Sequence, residues 1–195
     1  MDSPELFQHD LRRTVVLGAY LRHWGMPRDR QRFSRETDIV EVYLFPATAE
    51  SPVARFATVG ASSFVREGGI RSEFLLVLPA DLGGATFEEV AGFLMDFVLH
   101  SRRDDAGVQP GRGLPPSPLV PKPWPTRALL VDEAVGEAEE FERLHLGPQH
   151  IELWWLVPIH EAEYAFIQKE GFDAFSELMD DSDTSPVEVH RPSLV

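Results

Sequence analysis

IELWWLVPIHEAEYAFIQKEGFDAF, residues 151–175, runs from an apolar strand into an acidic amphipathic helix. Isoleucine, valine, leucine and tryptophan fill His150–Val157, the composition of a buried strand. Pro158 lacks the N–H that a central strand donates, so the spacing predicts a break there. Helices are expected over about residues 160–169 and 172–180, with a frayed tail from Asp181. Alternation places only one of Trp154 and Trp155 on any given layer, so both enter the core only if both sheet faces are covered.

Working outward, Ser3-Pro4-Glu5 is a helix start: a capping serine, proline at the first helical position and an acid at the positive end of the dipole. Apolar Leu6, Leu11, Val15, Leu17, Leu21 and Trp24 recur at near-helical spacing up to Gly25-Met26-Pro27, which predicts a helix over about 4–24. Arg28 to Arg35 reads as a basic connector. Three strands follow, at Ile39–Phe45, Val53–Val59 and Ile70–Leu78, joined by short Pro- and Gly-containing turns. Such turns favour antiparallel meander connections over the helical crossovers of a nucleotide-binding sheet. Thr86 with Glu88 and Glu89 opens a second helix, which ends near Arg102.

Seven prolines and three glycines occupy the 22 residues from Asp104 to Pro125, ruling out a helix or a central strand. Only about 70 residues follow, too few for a comfortable second core, so the segment reads as a surface loop within one domain. Arg127–Val131 is then a strand, and Asp132–Glu142 an acidic loop or short helix. The expected fold is α+β: a mixed, largely antiparallel central sheet flanked by helices, in a single domain. Within it, residues 1–37 form an N-terminal helix and basic connector, and residues 38–195 the main body.

The chain has 195 residues, is 43% hydrophobic and carries no cysteine, which excludes disulfides, thiolate metal sites and thiol nucleophiles together. Absence of a secretory leader pattern and of a long apolar run points to a cytoplasmic protein with no membrane partner. Its net charge of −14 is uneven: residues 1–35 hold seven arginines against four acids, a net +3, leaving −17 on the other 160 residues. So acidic a body repels phosphate backbones and argues against nucleic acid as a partner.

His160-Glu161-Ala162-Glu163 invites a metal or acid–base reading, but a zincin helix needs a second histidine four residues on, and Tyr164 stands there. The same residues suit the first turn of a helix, where acids meet the dipole and the free N–H groups. His145 and His150 flank Leu-Gly-Pro and could face each other across a turn, a weak signal without a third ligand. Gly60-Ala61-Ser62-Ser63 lacks the second glycine of a nucleophile elbow, since Phe64 stands in its place. No catalytic residue, metal ligand or cofactor is therefore expected. The acidic run Asp132, Glu133, Glu137, Glu139, Glu140 and Glu142 contains no base, and with Trp124 it forms the candidate surface for a basic partner.

Taken in order, TVGASSF (58–64), SEFLLVLPAD (72–81), RALLVDE (127–133), ELWWLVPIHEAEYAF (152–166) and VEVHRPSLV (187–195) resemble the suppressor-of-fused domain family, in particular its bacterial members. The resemblance spans about residues 38–195, and its specificity lies in the order of the motifs. It implies a mixed α/β module that binds proteins and has no established catalytic residues. In animals such domains sequester a transcription factor in Hedgehog signalling. Bacterial members are associated with polymorphic toxin systems as immunity proteins, so the implied partner is a basic toxin domain. Two alternatives stand beside it: an enzyme centred on His160, Glu161 and Glu163, or a self-assembling regulatory subunit. The sequence leaves the oligomeric state open.

Overall fold

A computed structural model describes residues 3–35, 38–103 and 107–195. Helix α1 (Ser3–Trp24) leads into strand β1 (Asp29–Arg35), then β2 (Asp38–Phe45), β3 (Val53–Val59) and β4 (Ser72–Pro79). Helix α2 (Phe87–Ser101) follows, then β5 (Arg112–Leu114), β6 (Ala128–Glu133), β7 (Leu144–Leu146), β8 (Gln149–Ile159), α3 (Glu161–Glu170) and α4 (Phe172–Asp180). Among the described residues the strands form one mixed sheet ordered β1-β2-β3-β4-β8-β6-β5, with β7 paired to β8 off that path. β4 and β8 are parallel and the remaining pairs antiparallel.

Strand alternation divides the core into layers. Val40, Val42, Leu44, Phe56, Phe74, Leu76, Trp154 and Leu156 face α2, whose Val90, Phe93, Leu94, Phe97 and Val98 cover them. The opposite residues, among them Tyr43, Phe45, Leu75, Val77 and Leu153, face Val16, Ala19 and Tyr20 of α1. Farther along that face, Ala128, Leu130, Val157 and Ile159 lie beneath Ile167 of α3 and Phe175 of α4. Both faces are thus covered. Trp154 is 3% exposed, while Trp155 is half-buried on the opposite layer.

The buried stripe of α1 differs from its apolar pattern. Leu11 and Leu21 are exposed, whereas His9 and Arg12 are buried with Val16, Ala19 and Tyr20. The sheet beneath this polar part of the stripe carries two buried acids, Glu41 and Glu73. A pattern of apolar residues alone cannot reveal that match.

Four local expectations change. Arg28–Arg35 is no connector: Asp29–Arg35 is a full edge strand, in register from Asp29 opposite Leu44 to Arg35 opposite Asp38. Charged residues are poor strand formers in isolation but suit an edge, where they discourage pairing with other chains. The strand at residue 150 does not stop at Pro158; it continues to Ile159, with Pro158 opposite Leu129. Pairing with β4 has ended at Trp155, so Pro158 lies where β8 has one neighbour and its missing N–H costs little. The proline segment is not wholly loop, since Arg112–Leu114 adds a short edge strand beside β6. Finally, the tail is not frayed: Val189 and Arg191 are 1% and 5% exposed.

Thr86 caps α2 as its sequence requires. Its hydroxyl accepts from the Glu89 N–H at 3.2 Å, and its own N–H donates to the Glu89 carboxylate at 2.9 Å. No helix of the described residues is long and apolar enough to cross a membrane.

Candidate protein-binding surface

The acidic connection between β6 and β7 sits beside the C-terminal end of α1, and that neighbourhood alters its charge. Glu137 accepts from Arg55 Nε at 2.6 Å and from Trp24 Nε1 at 2.8 Å, leaving its side chain 9% exposed. Trp24 stacks on Tyr20 at 4.6 Å, meets Phe141 at 4.9 Å, and has Arg55 over its ring at 5.6 Å. Glu140 binds Arg22 and His23, and the bonds from His23 and Arg22 hold its carboxyl below the ordinary range. The basic N-terminal segment is therefore matched to the acidic body inside one fold. Arg13, bonded to Glu41 at 2.6 Å, and Arg30, 3.5 Å from the same carboxylate, extend that match across the sheet.

Three acids of the run remain free. Glu133, Glu139 and Glu142 are exposed and form no ion pair among the described residues. Asp132, half-buried opposite Trp155, accepts from the Glu133 N–H at 2.8 Å, and burial pushes its carboxyl up. Trp124 leaves the candidate set. It is 1% exposed, with its indole N–H donating to Leu82 O at 3.0 Å and its ring edge toward Phe93. The proline segment folds back against α2, so this tryptophan plugs the core instead of presenting a surface anchor. Arg127 secures the same segment through bonds to Ser117 O and Val120 O, both at 3.1 Å. Between that segment and α2 runs a cleft of about 520 Å³ with Phe97, Leu129 and the exposed Leu119 on its walls.

In the motif at His160, the histidine and Glu163 are taken up by bonds to the C-terminal tail. Glu163 is fully buried and bonds Arg191 through both carboxylate oxygens; the Arg191 Nη2 contact is 2.7 Å. It also accepts from the His160 N–H at 2.7 Å and the Leu194 N–H at 3.0 Å. Burial alone would raise this carboxyl; Arg191 and the two amides outweigh it and hold the group below its ordinary range. His160 bonds Arg191 O through its ring at 2.8 Å, and Glu161 is exposed. The His160 and Glu163 side chains are thus both bound to the C-terminal tail, while Glu161 faces solvent. His145 and His150 do stand opposite each other in the β7–β8 register, but His150 lies 3.3 Å from Glu152. Among the described residues no group of three or more histidine, aspartate or glutamate side chains could hold a metal ion.

A second buried acid escaped sequence reasoning. Glu73 of β4 is 0% exposed and accepts five hydrogen bonds from the 58–62 segment. The hydroxyls of Thr58 and Ser62 donate at 2.6 Å, and the N–H groups of Gly60, Ala61 and Ser62 at 2.9–3.1 Å. Burial nevertheless keeps its carboxyl above the ordinary value. Gly60 is obligatory in this cradle: its φ is +108°, and a Cβ would fall 2.3 Å from Ile39 O. The signal was present in T-V-G-A-S-S, a run of hydroxyls and small residues that reads equally well as a turn.

Two buried carboxylates therefore join the sequence motifs to one another. Glu73 ties SEFLLVLPAD to TVGASSF, and Glu163 ties ELWWLVPIHEAEYAF to VEVHRPSLV. A model of the family Suppressor of fused protein (SUFU) matches residues 35–192. The chain belongs to the suppressor of fused family. Solved SUFU structures share its fold. A SUFU homolog from Neisseria gonorrhoeae FA 1090 is 17% identical, with a TM-score of 0.72 over 94% of this chain and 97% of that one. A Sufu–Fu complex matches at 12% identity and TM-score 0.63, covering 94% and 91% of the two chains. Drosophila Suppressor of Fused matches at 12% identity and TM-score 0.59, over 80% of this chain and 43% of its own. No curated protein matches the chain. Helix α1 and most of β1 precede the residues matched by the SUFU model, yet they complete its sheet and cover one face of it.

Proposed function

We propose that this SUFU domain is a non-enzymatic, cytoplasmic protein-binding module that neutralises a basic toxin domain as an immunity protein. The observation that carries the reading is the residual charge on the β6–β7 connection. Glu137 and Glu140 are consumed by α1 and β3, but Glu133, Glu139 and Glu142 face solvent without an ion pair among the described residues. On a chain of net charge −14, such a rim attracts a basic surface and speeds encounter with it. The solved Sufu–Fu complex supports a protein as the partner class. Against catalysis stands the occupation of Glu163 and His160 by structural bonds to the tail.

The test is a pull-down of the partner from the native cell, followed by co-expression of the captured toxin domain with this chain and titration of the purified pair. Growth rescue is expected, with an affinity that falls as salt is added. The triple variant E133K/E139K/E142K should retain the fold and weaken binding at least tenfold. Failure to rescue growth would sink the immunity role. Unchanged binding by the triple variant would remove the rim from it.

A further inference from the structure

Arg66 is a half-buried cation set among aromatic rings and, like the buried Arg12, it has no carboxylate partner among the described residues. Its guanidinium lies 5.3 Å from the ring centre of Phe74, 5.2 Å from Trp154 and 5.8 Å from Phe64. Its hydrogen bonds go to neutral oxygens: Ser72 Oγ at 2.9 Å, Ser101 O at 2.8 Å and Ser101 Oγ at 3.1 Å. These use three of the five N–H donors of a guanidinium. No carboxylate pairs with Arg66 among the described residues, whereas Arg13, Arg55 and Arg191 each have one. A nearby acid, Glu152, is engaged by Trp154 Nε1 at 3.0 Å and by His150.

Ser101 O lies at the C-terminal end of α2, whose partial negative charge offsets some of the cost of the half-buried cation. The remainder is uncompensated: burial, and next the neighbouring Arg102, push Arg66 down to about 10. The guanidinium borders a cavity of about 420 Å³ with Phe64, Ile70, Val108 and Trp154 on its walls. Exposed Arg103 lies at the same cavity and forms no ion pair among the described residues. The chemistry is that of apolar walls with one hydrogen-bonded guanidinium and a second, exposed cation at the rim.

We propose that this cavity is a binding site for a carboxylate carried on an apolar body, such as the C-terminal residue of a peptide or a small arylalkyl acid. The carboxylate supplies the counter-ion that Arg66 lacks and spans toward Arg103, while the apolar body covers Trp154 and Phe64. Phosphate fits less well, because a multiply charged, strongly hydrated anion gains nothing from those walls. The site is independent of the acidic rim and has the opposite charge preference.

The purified chain is titrated calorimetrically with N-acetyl-phenylalanine, N-acetyl-phenylalaninamide, 3-phenylpropanoate and inorganic phosphate at constant ionic strength. Saturable binding of the free carboxylates is expected, with the amide and phosphate at least tenfold weaker. N-acetyl-phenylalanine binding above 3-phenylpropanoate identifies a peptide terminus as the source; equal binding identifies a small acid. R66K and R103Q should each weaken the carboxylate about tenfold or more, the equivalent of about 1.4 kcal/mol. R103Q alters an exposed side chain, so it remains informative if R66K fails to fold. Asp104 and Asp105 lie outside the described residues, so D104N/D105N is titrated in parallel. Carboxylate binding seen only in that variant would mean the chain supplies its own counter-ion, and would overturn the proposal. So would no binding at all, equal binding of amide or phosphate, or unchanged binding by R103Q.

Discussion

Arg191 and Glu163 form an ion pair with side chains 2% and 0% exposed, binding the C-terminal segment to the first turn of α3. Removing one member leaves the other charge buried and unpaired, which costs about 3–5 kcal/mol. Arg191→Ala is therefore expected to lower stability by that order in urea melts. It should also accelerate amide exchange across residues 187–195, while Arg191→Lys recovers only part of the loss because an ammonium cannot match both carboxylate oxygens.

The same pair has a pH signature of fixed sign. Glu163 titrates below its ordinary value of 4.5 in the folded protein, so its contribution is present above that value and is lost as pH falls through the lower folded one. The stability gap between wild type and Arg191→Ala should be widest near neutrality and shrink as pH falls through the raised titration that burial imposes on the unpaired Glu163 of the variant, down to the lowered one of the wild type. Urea melts at a series of pH values check this. A gap constant down to pH 3 would contradict the assignment.

Glu73→Gln tests the cradle at residues 58–62. Every group facing Glu73 there is a donor, so the carboxamide NH₂ would oppose an N–H or O–H instead of accepting from it. A loss of about 2–4 kcal/mol is expected from the unsatisfied buried donors. Thr58→Val, which removes one of the five bonds and leaves the buried Phe74 N–H without the hydroxyl it donates to, should cost about 1–3 kcal/mol.

The acids of the β6–β7 connection should separate into two classes. Glu137→Ala breaks bonds to Arg55 and Trp24 in a half-buried setting, and is expected to cost about 1–3 kcal/mol and to shift Trp24 fluorescence. Glu139→Ala and Glu142→Ala touch no partner and should stay within about 0.5 kcal/mol of wild type. Charge reversal aimed at binding must therefore spare Glu137 and Glu140, whose loss would loosen α1.

Gly83→Ala probes the junction of the 81–84 turn with the proline segment and the tail. Gly83 has φ +60°, and a Cβ would fall 2.2 Å from Val189 Cγ2 and 3.0 Å from Trp124 Nε1. Positive φ and overpacking together should cost more than about 2 kcal/mol, read from thermal unfolding. Gly68→Ala, at φ +77° but with open space around it, should cost less, since only the conformational strain applies.

Most elements could be read from the chain because their causes are local. Val53–Val59 is built of strand-forming side chains, Thr86 and Glu89 form their cap within one turn, and the prolines of 104–125 forbid a helix wherever they stand. Motif order was equally readable and led to the family. What failed was what depends on a neighbouring strand and not on the segment's own side chains. Asp29–Arg35 becomes a strand only because β2 offers a ladder, and Pro158 is tolerated only because β4 has already parted from β8. The candidate site shows the same division. Six acids between residues 132 and 142 announce negative charge, yet which of them reach solvent depends on Arg22, His23, Trp24 and Arg55 arriving from elsewhere. Composition by itself determined an acidic α+β domain without thiol chemistry. Only the tertiary structure decided which charges are spent in pairs and which remain available, because ion pairing and burial act over distances of a few ångströms that chain separation does not encode.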